Sequence, residues 1–162
     1  EFRRVLFRSM WLETERIVCT PYFRLRPSIH PATYTDIYAR SLYTAEDGDM
    51  NKLEQKLVVE LTALPNVRWW HRNIAKQDFA INGFIKHYPD ILIMTKSGKL
   101  ICAETKGDHL KNDDSREKIA LGQAWRTAAG KDFRYYMVFE NEENLLPGAM
   151  SMSQFIDTVK AL

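Results

Sequence analysis

Tyr88-Pro89-Asp90, then Ile91-Leu92-Ile93-Met94-Thr95-Lys96-Ser97-Gly98-Lys99-Leu100-Ile101-Cys102-Ala103, then Glu104-Thr105-Lys106-Gly107, is the stretch that decides the fold. Two apolar runs, Ile91 to Met94 and Lys99 to Ala103, flank a turn signal at Ser97-Gly98 and read as a strand hairpin. A carboxylate stands at the entrance of the first strand and an acidic-x-Lys triplet at the exit of the second. The triplet alone is uninformative, because about one such triplet arises by chance at this composition. The chain carries a second, Glu54-Gln55-Lys56, on a helical pattern. The strand context is what gives Glu104-Thr105-Lys106 its meaning.

Working outward, Asn51 is a good N-cap with Glu54 three residues on, and Leu53, Leu57, Leu61 and Leu64 form an apolar stripe that Pro65-Asn66 ends. Val67 to Ile74 is rich in β-branched and aromatic residues and reads as a strand. A second strand begins near Gly83-Phe84 and runs, with a break at Pro89, to Met94, since proline in a strand marks an edge, a start or a bulge. The third strand covers residues 99 to 106. A helix follows, with caps expected at Asp113, Asp114 and Ser115, an inward face of Ile119, Gly122, Trp125 and Ala129, and Gly130 at its end. Phe133 to Phe139 reads as a fourth strand, and Met152 to Leu162 as a terminal helix with Phe155, Ile156 and Val159 inward. The expected fold is α/β, a mixed four-stranded sheet flanked by helices in the order α-β-β-β-α-β-α. Residues 10–50 lack periodicity and read as an irregular lead-in from a preceding domain, so the compact unit is expected over residues 51–162.

The chain has 162 residues, 45% of them apolar and 27% charged, with a formal charge of +2. This is enough for one domain with a real core. No apolar run reaches the ~20 residues of a membrane helix. Cys19 and Cys102 make neither a disulfide framework nor a Cys-rich zinc site, and a reducing cytoplasm fits best. Residues 1–9, Glu1-Phe2-Arg3-Arg4-Val5-Leu6-Phe7-Arg8-Ser9, match the conceptual translation of a common sequencing adapter and are read as non-native. They carry three arginines and one glutamate, so the remainder is formally neutral. Nucleic-acid binding therefore has to rest on local patches.

Residues two apart on a strand share a face, so Glu104 and Lys106 point one way and Thr105 the other. The place of Asp90 depends on the turn. A two-residue Ser97-Gly98 loop sets it opposite Thr105, whereas a three-residue loop with left-handed Gly98, or a bulge near Pro89, sets it opposite Glu104. Only the latter brings both carboxylates to one face. Asp90, Glu104 and the Thr105 carbonyl then offer hard oxygens to a divalent cation, Mg²⁺ first and Mn²⁺ as a substitute. Such a cation lowers the pKa of a water and neutralises charge on a phosphoryl group, while Lys106 orients the water or stabilises the transition state. Against this, Asp90 also suits a turn and Glu104 with Lys106 a solvent-facing pair. Glu54 suits a helix cap with access to the same site. Trp69, Trp70 and Trp125 read as core aromatics, and His71, His87 and His109, lacking metal spacing, as surface or core histidines. Arg72, Lys111 and Lys118 are candidate phosphate contacts.

Tyr88-Pro89-Asp90, Glu104-Thr105-Lys106-Gly107-Asp108-His109-Leu110, Asn112-Asp113-Asp114-Ser115, Lys118, Leu121-Gly122 and Trp125 resemble the nuclease domain of type III restriction endonuclease subunits and related restriction helicases. Met50 to Glu54 and Val67 to Asn73 resemble the opening helix and first strand of that domain, and the likeness spans roughly residues 43 to 139. The family belongs to the PD-(D/E)XK nucleases. The resemblance implies a restriction-endonuclease-like core, with Asp90 and Glu104 as metal ligands, Lys106 as the catalytic lysine and Glu54 as an outer ligand. Some relatives carry glutamine and, four residues later, tyrosine on the helix after the motif. Here Thr127 follows Gln123, so Gln123 is placed only near the site. No Gly-rich phosphate loop ending in Gly-Lys-Ser or Gly-Lys-Thr occurs. The implied protein is a Mg²⁺-dependent endodeoxyribonuclease acting on double-stranded DNA, with a helicase upstream in the same polypeptide and a modification subunit supplying specificity. A catalytically silent nucleic-acid-binding or assembly platform, and a repair or junction nuclease, are the alternatives.

Overall fold

The computed structural model describes residues 24–36, 38–82 and 85–162. The adapter-like segment, Cys19 and the expected strand start at Gly83-Phe84 lie outside the described residues. A central five-stranded sheet has the spatial order β3-β6-β7-β8-β9. Its members are β3 (Val67–Arg72), β6 (Ile91–Thr95), β7 (Leu100–Lys106), β8 (Phe133–Phe139) and β9 (Ala149–Ser151). Pairing is antiparallel from β3 through β7 and parallel from β7 through β9, so the sheet is mixed. Two small hairpins accompany it, β1 (Tyr34–Thr35) with β2 (Glu46–Asp47) and β4 (Ile81–Asn82) with β5 (Lys86–His87).

Helices cover both faces. Helix α1 (Lys52–Ala63) and α3 (Met152–Lys160) bury Leu57, Val58, Leu61, Phe155, Ile156 and Val159 against Trp70, Ile91, Ile93, Ile101, Ala103 and Val138. Helix α2 (Asp113–Ala129) buries Ile119, Leu121 and Trp125 against Leu92, Cys102, Tyr135, Met137 and Phe139 on the other face. The strands are therefore apolar on both sides, as expected of a sheet covered twice.

Three expectations are corrected. The sheet has five strands, not four: β9 is only three residues long, follows Gly148 at φ +83°, and is too short to show a period. The second strand breaks near Pro89 as read, but its first part is β5, which joins the side hairpin and not the central sheet, so that β6 begins at Ile91. The α2 cap is Asn112, whose side chain accepts from the Ser115 amide, while Asp113 and Asp114 occupy the first turn. The α1 cap forms as read. Asn51 accepts from the Leu53 and Glu54 amides, and Glu54 accepts in return from the Asn51 amide at 2.8 Å.

The segment before α1 is irregular but tied to the sheet. His71, fully buried on β3, lies between Glu46 (Nδ1 to Oε2, 2.7 Å) and Asp78 (Nε2 to Oδ2, 3.0 Å). Asp78 also accepts from Arg26 at 2.8 Å, and Ser41 bridges to Trp70. Burial pulls the His71 pKa down, but Asp78 and Glu46 outweigh it and the net shift is upward from 6.5. For Asp78, burial is outweighed by His71 and Arg26, and its pKa falls to about 2. A raised histidine stabilises the fold below its unfolded pKa and loses that contribution as pH rises through the folded value. The melting temperature of the full chain is expected to fall as pH is raised above 6.5, and Glu46→Gln to move that fall to lower pH. Glu46→Ala, which strips one carboxylate from a buried cation, is expected to cost about 3–5 kcal/mol in denaturant unfolding.

Candidate functional site

The register of β6 against β7 places the acidic residues. Ile91 faces Ala103 and Met94 faces Leu100, and Thr95 donates to the Lys99 carbonyl at 2.9 Å around a turn in which Gly98 has φ +86°. This is the three-residue loop, and continued by one residue the register sets Asp90 opposite Glu104. Both then lie at the carboxyl end of β7, the strand at which pairing changes from antiparallel to parallel. Open α/β sheets offer their crevices at such points.

The Asp90 backbone is held from β3. Its carbonyl accepts from the Asn73 amide at 2.9 Å and from Arg72 at 3.0 Å, while the buried Asn73 side chain donates to the Pro89 carbonyl at 2.8 Å. The Asp90 carboxylate accepts through Oδ2 from the Thr105 amide (2.8 Å) and hydroxyl (3.0 Å). Glu54 divides its oxygens. Oε2 caps α1, and Oε1 meets Arg72 Nη2 at 3.1 Å. Arg72 also lies 3.7 Å from Asp90. Cap and site are thus one residue.

Glu104 is not a solvent-facing member of a pair, because it is only 3% exposed. Its Oε1 is approached by Lys106 at 3.1 Å and by Lys118 of α2 at 3.7 Å. Burial, then Asp90, push its pKa up to about 8 against the pull of the two lysines. Burial and Asp90 likewise raise Glu54, opposed by Arg72. For Lys106, burial acts downward and Glu104 outweighs it, so the ammonium is held charged. Three carboxylates, Glu54, Asp90 and Glu104, are matched by three cations, Arg72, Lys106 and Lys118. Beside them opens a cleft of about 610 Å³ lined by Glu54, Asp90, Thr105 and Lys106, with Lys52 and His109 at its walls.

The structure thus brings together Asp90, Glu104, Lys106, Thr105, Glu54, Arg72 and Lys118. It leaves two sequence candidates elsewhere. Lys111 contacts the Glu143 carbonyl and Asp108 and lies over the Phe139 ring. The Gln123 side chain has no hydrogen bond to the cluster among the described residues. Asn73 and His87 are positions the sequence reading assigned no part in the site. Only the nearness of Asn73 to the Arg72 strand end could have drawn notice.

Among the described residues no group of three or more His, Cys, Asp or Glu side chains is already arranged around a cation position. The donor set nevertheless suits a hard cation. All its atoms are oxygens, and Glu104 Oε2 is buried with no hydrogen-bond partner. The oxygens are instead held by Arg72, Lys106 and Lys118, which have to yield for a cation to enter. Comparison with family models, curated proteins and solved structures gives no match.

A carboxyl whose folded pKa lies above its unfolded value destabilises the fold as pH rises between the two. In chelator, Glu104→Gln is expected to raise the melting temperature at pH 9, where the wild-type carboxylate is ionised. It is expected to change it little at pH 5, and thermal melts at the two values check this.

Proposed function

We propose that this domain is a metal-dependent DNA endonuclease of the type III restriction kind, hydrolysing phosphodiester bonds. The observation that supports it most is the β6–β7 register, which sets Asp90 opposite Glu104 and leaves Lys106 3.1 Å from the latter, beside an open cleft. Asp90, Glu104 and Glu54, with the Thr105 carbonyl, are the residues that would hold Mg²⁺ or Mn²⁺. When bound, that ion supplies Lewis-acid stabilisation of the phosphoryl oxygens and a more acidic water.

The chain's own residues do the rest. The charge balance of the cluster removes the net repulsion that three bare carboxylates would impose on a phosphate backbone. Asn73 and Arg72 fix the Asp90 backbone, and the Thr105 amide and hydroxyl fix Oδ2 of its carboxylate, leaving Oδ1 with Arg72 at 3.7 Å. Lys106, held charged beside Glu104, is placed to orient the attacking water and to stabilise charge developing on the phosphate. Lys52 and His109 at the cleft walls suit backbone contact, which carries no base information. Sequence specificity is accordingly assigned to a modification subunit, and strand translocation to a helicase in the same polypeptide.

The test is cleavage of supercoiled plasmid by the full chain with Mg²⁺. Cleavage is expected to cease in chelator and to slow about 10²–10³-fold in Lys106→Ala. Cutting that survives both chelation and the substitution refutes the mechanism. A branched duplex cut in preference to plasmid moves the assignment to a junction nuclease.

A further inference from the structure

The backbone leaving β3 is held from both edges. Successive N–H groups of an extended chain point to opposite edges. Toward the outer edge, the Trp70 amide donates to the Arg40 carbonyl at 3.0 Å, the Arg72 amide to Glu46 Oε2 at 3.1 Å and the Ile74 amide to Asp78 Oδ2 at 2.9 Å. Between the last two, Asn73 sends its amide the other way, to the Asp90 carbonyl at 2.9 Å. The buried Asn73 side chain donates to the Pro89 and Phe79 carbonyls, both at 2.8 Å, and accepts from the Phe79 amide at 3.0 Å. The strand end that holds Asp90 is thus itself held by two carboxylates, Glu46 and Asp78.

His71 joins those carboxylates. Its Nδ1 lies 2.7 Å from the Glu46 oxygen that takes the Arg72 amide, and its Nε2 3.0 Å from the Asp78 oxygen that takes the Ile74 amide. The remaining oxygens are engaged as well, Glu46 Oε1 by the Tyr43 amide at 3.2 Å and Asp78 Oδ1 by Arg26 at 2.8 Å. With all four oxygens accepting from other N–H groups, His71 donates from both ring nitrogens, as an imidazolium does. Two carboxylates then face two cations, His71 and Arg26, and the Tyr43 ring meets His71 edge-on at 5.0 Å. Charge-assisted bonds of this kind are the stronger ones. We propose that His71, through Glu46 and Asp78, positions Asp90: it locks the outer edge of residues 72–74, from which Asn73 and Arg72 hold the Asp90 backbone. His71 and Glu46 are positioning residues that act only through that strand end. Their bearing on cation binding rests on the nuclease reading above, but the clamp itself does not.

Three measurements on the full chain test this. Proton–nitrogen NMR of the wild type at neutral pH, which needs no variant, is expected to show protons on both His71 ring nitrogens; one bare nitrogen overturns the clamp. Glu46→Asp withdraws the carboxylate by one methylene and keeps its charge, whereas Glu46→Gln keeps an oxygen in reach and loses the charge. Hydrogen exchange without metal is expected to show the Asn73 amide quickened about 10-fold more than the β7 amides in Glu46→Asp, and no more than they are in Glu46→Gln. Equal quickening of Asn73 and β7 in Glu46→Asp overturns the proposal whatever the domain does. Calorimetric titration with Mn²⁺ is expected to show affinity lowered about 10- to 100-fold in Glu46→Asp. Val159→Ala, a core truncation on α3 that also lowers the melting temperature, is expected to leave that affinity unchanged. A folded Glu46→Asp that binds Mn²⁺ like wild type, or a Val159→Ala that loses as much affinity, overturns the positioning role. Wild-type chain that binds no Mn²⁺ overturns the metal reading of the site and leaves the exchange and NMR results to judge the clamp.

Discussion

A carboxylate buried to 3% exposure at the end of a central strand is the constraint around which much of this domain is arranged. Glu104 cannot carry its charge there without compensation, and burial raises its pKa to about 8 even with two lysines beside it. The compensation comes from separate elements: Lys106 from the same strand and Lys118 from the helix that follows. Asp90, opposite in register, adds a second negative charge and brings Arg72 and Glu54 with it. A structural role alone would be met more cheaply by an apolar residue, since replacing buried ion pairs with packed hydrophobes is often neutral or stabilising. Ionisable groups perturbed by burial and charge in this way cluster at functional sites.

The second buried polar cluster differs in kind. Glu46, His71, Asp78 and Arg26 form a set in which both histidine nitrogens face carboxylates. Its effect is architectural: it fastens the irregular segment before α1 to β3 and to the loop after it. Trp70, with its indole N–H on the Ala39 carbonyl, and Arg40, on the carbonyls of Leu64 and Val67, add to the same attachment.

Features governed by neighbours in sequence were legible without coordinates. The Asn51–Glu54 capping box, the Pro65 stop, the turn at Gly98 and the inward faces of the helices all depend on residues within one or two turns of each other. The candidate site was legible in part, because Asp90, Glu104 and Lys106 lie on one hairpin whose possible registers could be enumerated. What was missed depends on contacts between distant segments. His87 meets Tyr135 across 48 residues and His71 meets Glu46 across 25, and neither pairing leaves any local period. Gly122 was read as one position on a helical face, whereas its reason is the Tyr135 ring on another element. Lys111 looked equivalent to Lys118, but on the turn before α2 it faces Asp108 and the Glu143 carbonyl, while Lys118, seven residues on and inside α2, reaches Glu104 of the sheet.

The covering of the sheet on both faces has an outcome for the hairpin. In a strand wetted on one side, a slip by one residue exposes its apolar set and is strongly opposed. Here Ile91, Leu92 and Ile93 face Ala103, Cys102 and Ile101, and every one of them is buried. A slipped hairpin would still bury hydrocarbon on both sides, so these strands carry no ruler of their own. The measure is kept by the three residues Lys96 to Gly98, about 20 Å along the strand from Asp90. Removing one of them leaves a plausible core while turning the two carboxylates to opposite sides, so the length of that distant turn, more than its chemistry, decides whether the site exists.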